Sequence, residues 1–426
     1  VARNVVIVGG GLAGLAASIY LARGGRTVTV FEKRQYLGGR AITQLRQGFR
    51  FNLGAHAFYR TGAGARVCRE LGVPVPGGVP KPRALALIGG EERMLPTGVL
   101  SFLGTSLLSL SGKAQLIRAL LRIRQIDRNP PGPITVREWV QASVADPRAR
   151  QVLEAWIRLA TYSDHPESAS ASLSLAQMKV ALRGAIYVHE GWQRIVDSLR
   201  NTAVTSGVNF VSSSRIVGVD IDNGAVRAVR LGGLELDSDR MDTRSIAYPE
   251  VAPDQVDGAP LPAQDVILAV DPATASELAG ETWTAQPVTA ACLDVALRSL
   301  PNPKRTFALG IDEPLYYAAH SVWAQLAPKG GALVHTVRYG RGGTEAELEG
   351  LLDRMQPGWR DLVVHKRYMP SMTVSNALVT PASPRPPVTT RVRGLYLAGD
   401  WVGDEGLLSD ASFASARAAA KAILAT

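Results

Sequence analysis

The chain has 426 residues, 46% hydrophobic and 20% charged, which suits a folded protein of two to four domains and excludes wholesale disorder. Its 47 basic and 37 acidic residues leave a formal charge of +10 spread along the chain, favouring an acidic partner (anionic lipid, nucleic acid or a phosphate-bearing cofactor) without choosing among them. Two cysteines, Cys68 and Cys292, exclude a disulfide scaffold and a cysteine-rich zinc or iron–sulfur site, and no apolar run reaches the roughly 18 residues of a membrane-spanning helix.

The first predicted element is a buried parallel strand at Val5–Val8, a β-branched run stopped by Gly9. It has neither the basic segment nor the cleavage site of a leader, so the chain is expected to stay in the cytoplasm, at most peripheral to a membrane. Gly9, Gly11 and Gly14 then form a GxGxxG, and Leu12 to Ala22 carry apolar residues at helical spacing. A second strand, Thr27–Phe31, ends at Glu32. Each part has a physical reason. Gly9 permits a tight turn, Gly11 lets backbone approach a pyrophosphate, and Gly14 lets helix and strand pack closely. The helix start at Leu12 and Ala13 offers free N–H groups at its positive end. Glu32 is placed to accept ribose hydroxyls and to repel a 2′-phosphate. The reading is a Rossmann-type dinucleotide site.

Behind the acid, Lys33 leads to Gly38, Gly39 and Arg40, a second glycine pair followed by arginine. This resembles the GGR motif of the flavin-dependent amine oxidase superfamily, which includes monoamine oxidases, protoporphyrinogen oxidases and phytoene desaturases. The resemblance implies non-covalent FAD, with Lys33, Gly39 and Arg40 in its site and Arg40 on the pyrophosphate. Phe51 to His56 is similar to the superfamily's segment beside the isoalloxazine, with Asn52 where Asp is commoner; it brings Gly54, Ala55 and His56 into the site.

Further along, Pro96 to Leu110 is apolar and free of charge, and Lys113, Arg118, Arg122 and Arg124 follow. Residues 96–124 therefore suit either an interfacial helix at anionic lipid or a buried helix with a wet basic face. A helix starting near Gly191, a strand at Val208–Val211 and a hairpin over Arg215–Val219 and Ala225–Val229 come next; in the family such a hairpin touches adenine through main chain, here at Ile216. Residues 233–264 are rich in Asp, Pro and Gly and are expected to form a surface loop, with a lid as the alternative. A strand at Val266–Val270 precedes Asp271 and Pro272. The segment from Trp283 to Leu300, similar to the strand bearing the lysine of amine oxidases, contains no lysine. Near the end, Leu395 to Trp401 forms a strand running into Gly399 and Asp400, and Gly406, Leu407 and Leu408 lead into an alanine-rich helix. The resemblance puts Gly399 and Asp400 at the ribityl or phosphate region and the helix start at the flavin pyrimidine end.

The expected fold is α/β, with a discontinuous FAD domain (1–60, 190–275 and 385–426) interleaved with a mixed-sheet and helical substrate domain (61–189 and 276–384). The favoured activity is phytoene-desaturase-like removal of a hydride from a lipophilic substrate, with oxygen or a quinone reoxidising the flavin. Amine oxidation, protoporphyrinogen oxidation and a flavin-binding protein without chemistry stay open. His56 and Trp401 are the candidate catalytic residues; His320, Tyr316 and Tyr317 are candidate cavity walls. The histidines show no metal-ligand spacing, so no metal is expected. Basic residues are not interleaved with aromatics, so nucleic acid is not expected. Oligomeric state is left open.

Overall fold

The computed structural model describes residues 3–81, 84–96, 99–232 and 260–426. A five-stranded sheet organises the cofactor side. Its strands are β1 (Asn4–Val8), β2 (Thr27–Phe31), β3 (Asn209–Val211), β4 (Asp265–Leu268) and β5 (Leu395–Leu397), all parallel, in the order β3-β2-β1-β4-β5. The short β-branched runs are buried on both faces, as parallel strands are. In β1, Val5 and Ile7 join one core and Val6 and Val8 the other, because successive side chains point to opposite faces.

Three helices cover one face: α1 (Leu12–Arg23), α2 (Gln193–Thr205) and α3 (Leu408–Leu424). The other face is closed by the hairpin Ile216–Asp222 and Ala225–Leu231, whose Ile216 and Val229 pack with Val6, Val8 and Phe31. Pro260–Pro262 adds a third strand to that hairpin by pairing with Ala228–Arg230. Of the expected loop or lid at 233–264, residues 233–259 lie outside the described residues.

A seven-stranded sheet of mixed direction organises the other part of the fold. Its order is Val363–Ser375, Val288–Leu297, Ala332–Tyr339, Leu315–Ala318, Phe307–Gly310, Ala84–Ile88 and Glu91–Met94. Helices between Leu110 and Ala181 cover one face, and the helix Glu345–Met355 covers the other. Pro370 sits where the outer strand slips register against Ala290 and Cys292, a position at which a missing N–H does little harm.

The apolar stretch at 96–110 is not one helix. It forms Val99–Gly104, breaks, and resumes as Leu110–Arg124. Short-range polar bonds make the break. Thr105 Oγ1 donates to Met94 O at 2.8 Å, and Ser109 Oγ caps the second helix by accepting from Gly112 N at 2.9 Å. In the second helix Leu116, Ala119 and Ile123 are buried, while Leu110 is 86% exposed and Ile117 and Leu121 also face solvent.

Candidate functional site

The glycine cradle lies at the carboxyl end of β1, where open α/β sheets bind ligands. Gly9 has φ +107, and a Cβ there would sit 2.5 Å from Ala269 O. A Cβ on Gly14 would sit 2.0 Å from Gly9 O, so the helix touches the turn. A Cβ on Gly11 would meet nothing within 4 Å. Gly11 therefore faces open space, while Gly9 and Gly14 are packed. Gly11 caps α1 without a side chain, and the first helical bond runs from Leu15 N to Gly11 O at 2.9 Å. The first-turn N–H groups, including those of Leu12 and Ala13, have no partner within the helix, and donors of this kind suit an anion.

Glu32 closes the cradle. Its Oε2 accepts from Gly10 N at 2.8 Å and its Oε1 from Arg34 N at 3.0 Å, leaving each oxygen a further lone pair for a hydroxyl. Burial pushes this carboxyl up, against those two bonds and the charges of Arg34 and Lys33. Lys33 is exposed. Gly38 N donates to Gly10 O at 2.8 Å, tying the two glycine motifs side by side, with Gly39 next to Gly11. Ser213 N and Ser214 N donate to Arg34 O and Glu32 O, both at 3.0 Å, and so dock the hairpin that begins at buried Ile216 beside Glu32.

The two chain ends meet at Arg40 and Asp400. Arg40 Nη2 donates to Asp400 Oδ2 at 2.6 Å and Nη1 to Val374 O at 3.0 Å. The guanidinium expected on a pyrophosphate is thus partly neutralised here by the carboxylate expected at the ribityl or phosphate region. Asp400 also accepts from Asn376 N and Nδ2, at 3.0 and 2.9 Å. Burial works to raise its carboxyl, but Arg40 and Asn376 overcome that and hold it below its usual value. Arg385 holds the same loop by donating to Asp400 O and Gly406 O at 3.1 and 2.9 Å. Gly399 N donates to Ser415 Oγ at 2.9 Å, fastening the loop to α3. At the helix start Leu407 N donates to Gln177 Oε1 at 3.1 Å, and Leu408 carries φ +56, a left-handed conformation that a branched residue seldom adopts. Such strain persists only where surrounding structure over-determines it, and it is common at ligand sites.

The segment Asn52–His56 lies against the seven-stranded sheet. Asn52 Oδ1 accepts from Trp192 N at 3.0 Å and Thr43 Oγ1 at 2.7 Å, a neutral role that an amide fills as well as a carboxylate. A Cβ on Gly54 would sit 2.4 Å from Met372 Sδ and 3.6 Å from Cys292 Sγ. Ala55 is buried. His56 is half-buried, with Nδ1 3.0 Å from Gly54 O and its ring edge-on to Trp192 at 5.1 Å. Burial lowers His56 to about 4, with His335 and Arg40 adding to the effect, so the ring is neutral near pH 7.

Beneath that segment three strands place a charged row across the sheet. Asp294 is paired in register with His335 on one side and Arg367 on the other. All of Asp294 and His335 is buried. His335 Nδ1 lies 2.6 Å from Asp294 Oδ1, Cys292 Sγ donates to the same oxygen at 3.2 Å, and Arg367 donates to Oδ2 and to Asn52 O. Burial raises the Asp294 carboxyl, but His335 and Arg367 win and hold it well below the usual range. The ligand-capable atoms of Cys292, Asp294 and His335 fall within 4.8 Å of one another. Their contacts are those of a hydrogen-bonded network with its charge already met by Arg367, so they do not call for a cation. Sequence spacing missed this grouping because it is made by strand register across 41 positions.

Two of the candidate residues stand in packed surroundings. Trp401 is a core residue: 1% exposed, it donates Nε1–H to Val270 O at 2.8 Å and packs on Trp283. Tyr317 faces the opposite side of the sheet from Tyr316, by strand alternation, and its hydroxyl donates to Arg305 O at 3.1 Å. Tyr316 does face the site side, with its hydroxyl 3.0 Å from His320 Nε2.

Two adjoining clefts reach this region. The inner one, with room for only about 20 Å³, is lined by Leu173, Val288, Ser375, Ala377, Leu378, Val379, Leu407 and Leu408. It shares Thr161, Ser163, Ala169 and Ser174 with an outer cavity of about 430 Å³, which carries Glu154, Asp164, Glu167 and Asp312 with Arg137 and Arg158.

Sheet order, glycine cradle and terminal acid together define a dinucleotide-binding fold joined to a second sheet. The residues fit such a ligand, as Gly11 faces open space and the Glu32 oxygens keep lone pairs. The chain belongs to the flavin containing amine oxidoreductase family, matched over residues 12–291. A carotenoid 3,4-desaturase of Haloarcula japonica is 49% identical over 52 residues, 12% of this chain and 10% of that protein. A coproporphyrinogen III oxidase of Propionibacterium freudenreichii is 33% identical over 156 residues, 34% of this chain and 29% of that protein. These matches span under a third of either relative. Among solved structures, an oxidoreductase from Methanosarcina mazei superposes with a TM-score of 0.74 at 18% identity over 100% of both chains. A putrescine oxidase triple mutant superposes with a TM-score of 0.72 at 14% identity over 99% of both. At such identities these two share the fold with this chain.

Proposed function

We propose that the chain binds FAD non-covalently between its two ends and oxidises a lipophilic substrate, as a phytoene-desaturase-like dehydrogenase. On this reading residues 1–60, 190–275 and 385–426 hold the cofactor, and 61–189 and 276–384 hold the substrate. The observation behind the choice is the run of apolar side chains, Leu173, Val288, Leu378 and Val379, beside Leu407 and Leu408, around a cleft of about 20 Å³ that a substrate has to widen to enter. When bound, the flavin supplies a two-electron acceptor for hydride. The chain's part is to orient it. Gly11 and the first turn of α1 take the pyrophosphate, Glu32 takes the ribose, and the α3 start directs N–H groups toward the ring. His56 stays neutral beside it, and the sheet face under Gly54 excludes water. Cys68 and Cys292 are both buried as free thiols, and burial pushes both thiols up, which supports a cofactor held without a covalent bond.

One observation favours a second reading, amine oxidation. The outer cavity presents four carboxylates against two arginines in a chain of net charge +10, an entrance that attracts a cation. The purified chain is expected to be yellow and to release FAD on acid precipitation; a colourless protein that takes up no FAD sinks both readings. Anaerobic bleaching by a panel of polyenes, porphyrinogens and amines then separates them. Bleaching by polyenes is expected, and bleaching by amines alone overturns the desaturase reading in favour of the second. Oxygen and a quinone are the acceptors to compare for reoxidation.

A further inference from the structure

We propose that Asp410 sets the reduction potential of the bound flavin, as a buried carboxyl in the first turn of α3 that bears on the ring through its charge. The inference rests on the reading that α3 begins at the pyrimidine end of the flavin.

Asp410 is the third residue of α3, so its side chain stands at the positive end of that helix. It is 3% exposed. Glycines make room for it. A Cβ on Gly62 would lie 2.1 Å from its Oδ2, one on Gly64 3.1 Å from its Oδ1, and one on Gly406 2.9 Å from its Cβ. Oδ1 accepts from Gly64 N at 2.7 Å, whereas Oδ2 has no hydrogen-bond partner among the described residues. An exposed acid in the first turn would complement the helix dipole without being stripped of water. The burial of this one therefore calls for another explanation.

The groups that face it leave its charge unmatched. Arg66 and Cys68 come from the helix Ala63–Leu71, and Arg66 is already paired with Glu405 of the loop before α3. Tyr59 comes from the strand Phe58–Tyr59. Burial pushes the Cys68 thiol and the Tyr59 phenol up, so both stay neutral near pH 7. Gln177 comes from the helix Ala171–Ala181; its Oε1 holds Leu407 N, and its buried Nε2 has no partner among the described residues. Burial pushes the Asp410 carboxyl up to about 6, against the Gly64 bond, Gln177 and Arg66. Through Gly64 the carboxyl also ties α3 to the helix that follows the 52–59 segment, so it stands between two pieces of the cofactor side.

The charges balance as follows. A hydride brings the flavin two electrons and one proton and leaves it one unit more negative. An ionised Asp410 in the helix turn that faces this charge opposes it, and a neutral Asp410 does not. Reduction therefore draws one proton from solvent onto the carboxyl, while both electrons stay on the flavin. By reciprocity, protonation of Asp410 favours reduction by the same factor.

The test needs no substrate. The FAD-loaded full chain is photoreduced stepwise beside a reference dye, wild type against D410N, at pH 8 and at pH 5. At pH 8 D410N is expected to favour reduced flavin about 10-fold more than wild type, a potential about 30 mV higher for a two-electron couple. At pH 5 the two should agree, because the wild-type carboxyl is then neutral as well. Equal potentials at pH 8 overturn the proposal, and so does a gap that persists unchanged at pH 5, which is what a merely structural role produces. If D410N does not fold, the infrared difference spectrum of wild type decides. Reduction at pH 7 should bring up the carbonyl band of a protonated carboxyl, and a spectrum without that band overturns the proposal. A chain that takes up no FAD overturns the functional reading and this proposal with it; one that holds FAD with matching potentials overturns the proposal alone.

Discussion

Glu32 serves backbone and ligand with the same two oxygens. Replacing it with alanine removes the acceptor for Gly10 N, Arg34 N and a ribose hydroxyl together. A hydrogen bond to a charged group contributes about 1.5–3 kcal/mol, so E32A is expected to weaken FAD binding roughly 10- to 150-fold. Flavin titration of the apoprotein measures this, with circular dichroism to show that the fold remains; unchanged affinity means the ribose is held elsewhere. Asp410 gives a pH prediction. It is buried in the first turn of α3, and its Oδ1 accepts from Gly64 N at 2.7 Å. Burial pushes its carboxyl up to about 6, against the Gly64 bond. A folded value above the unfolded one means the folded state binds more protons between about pH 4 and 6, so this group's contribution falls as pH rises through that window and stays low above it. D410N keeps an acceptor for Gly64 N and loses the buried charge. Its melting temperature should exceed that of wild type at pH 7–8 and match it near pH 4; a difference that does not change with pH refutes the assignment. At this scale much of the cradle was legible, because Gly9, Gly11 and Gly14 have roles fixed by local geometry. Asp294, His335 and Arg367 were not, because nothing local to any of them announces a partner that only strand register supplies. Trp401 follows the Gly399–Asp400 turn directly, and the turn sets its ring against Val270 O and Trp283.

Elements were legible where periodicity was strong and local polar residues did not intervene. β1, α1 and β2 stand where the β-branched runs and helical spacing put them. The 96–124 stretch was read as continuous because its apolar character hides Thr105 and Ser109, whose backbone bonds end one helix and start the next. What remains exposed is a stripe of Leu110, Ile117 and Leu121 beside Arg118 and Arg122. A stripe of that composition suits anionic lipid. The chain is expected to float with anionic vesicles at low salt, less so at high salt, and the pair L110E and I117E together should abolish it. No flotation of wild type at either salt ends the idea. The contact between α1 and its strand has a sharper test. Gly14→Ala drives a methyl to 2.0 Å from Gly9 O, which backbone on both sides cannot relieve cheaply. Overpacking of this kind costs about 1–3 kcal/mol, so G14A should melt several degrees lower and hold less flavin; wild-type melting would mean that helix and turn are looser than they look.

For the molecule as a whole, the parallel sheet gathers strands from four distant stretches, and one of its two edge strands, β5, comes from residues 395–397. The strands themselves were foreseeable, most of them from the motifs they run into. The seven-stranded sheet was foreseeable only as a set of strands. Its order brings Ala84–Ile88 beside Phe307–Gly310, and no pattern in either run encodes the other. A chain stopped after Arg391 keeps every glycine of the N-terminal motif and lacks β5 and α3. It is expected to express as colourless, aggregating protein; a soluble yellow product would show that the second chain end is dispensable.

The same interleaving has a consequence for biosynthesis. At 5–20 residues per second, β1 leaves the ribosome roughly 20–80 s before β5 can follow it. Through that interval the nascent chain exposes an apolar strand edge with no neighbour to cover it. Chaperone occupancy should therefore be greatest on partially translated chains, and it should drop only once residues 395–424 have been read.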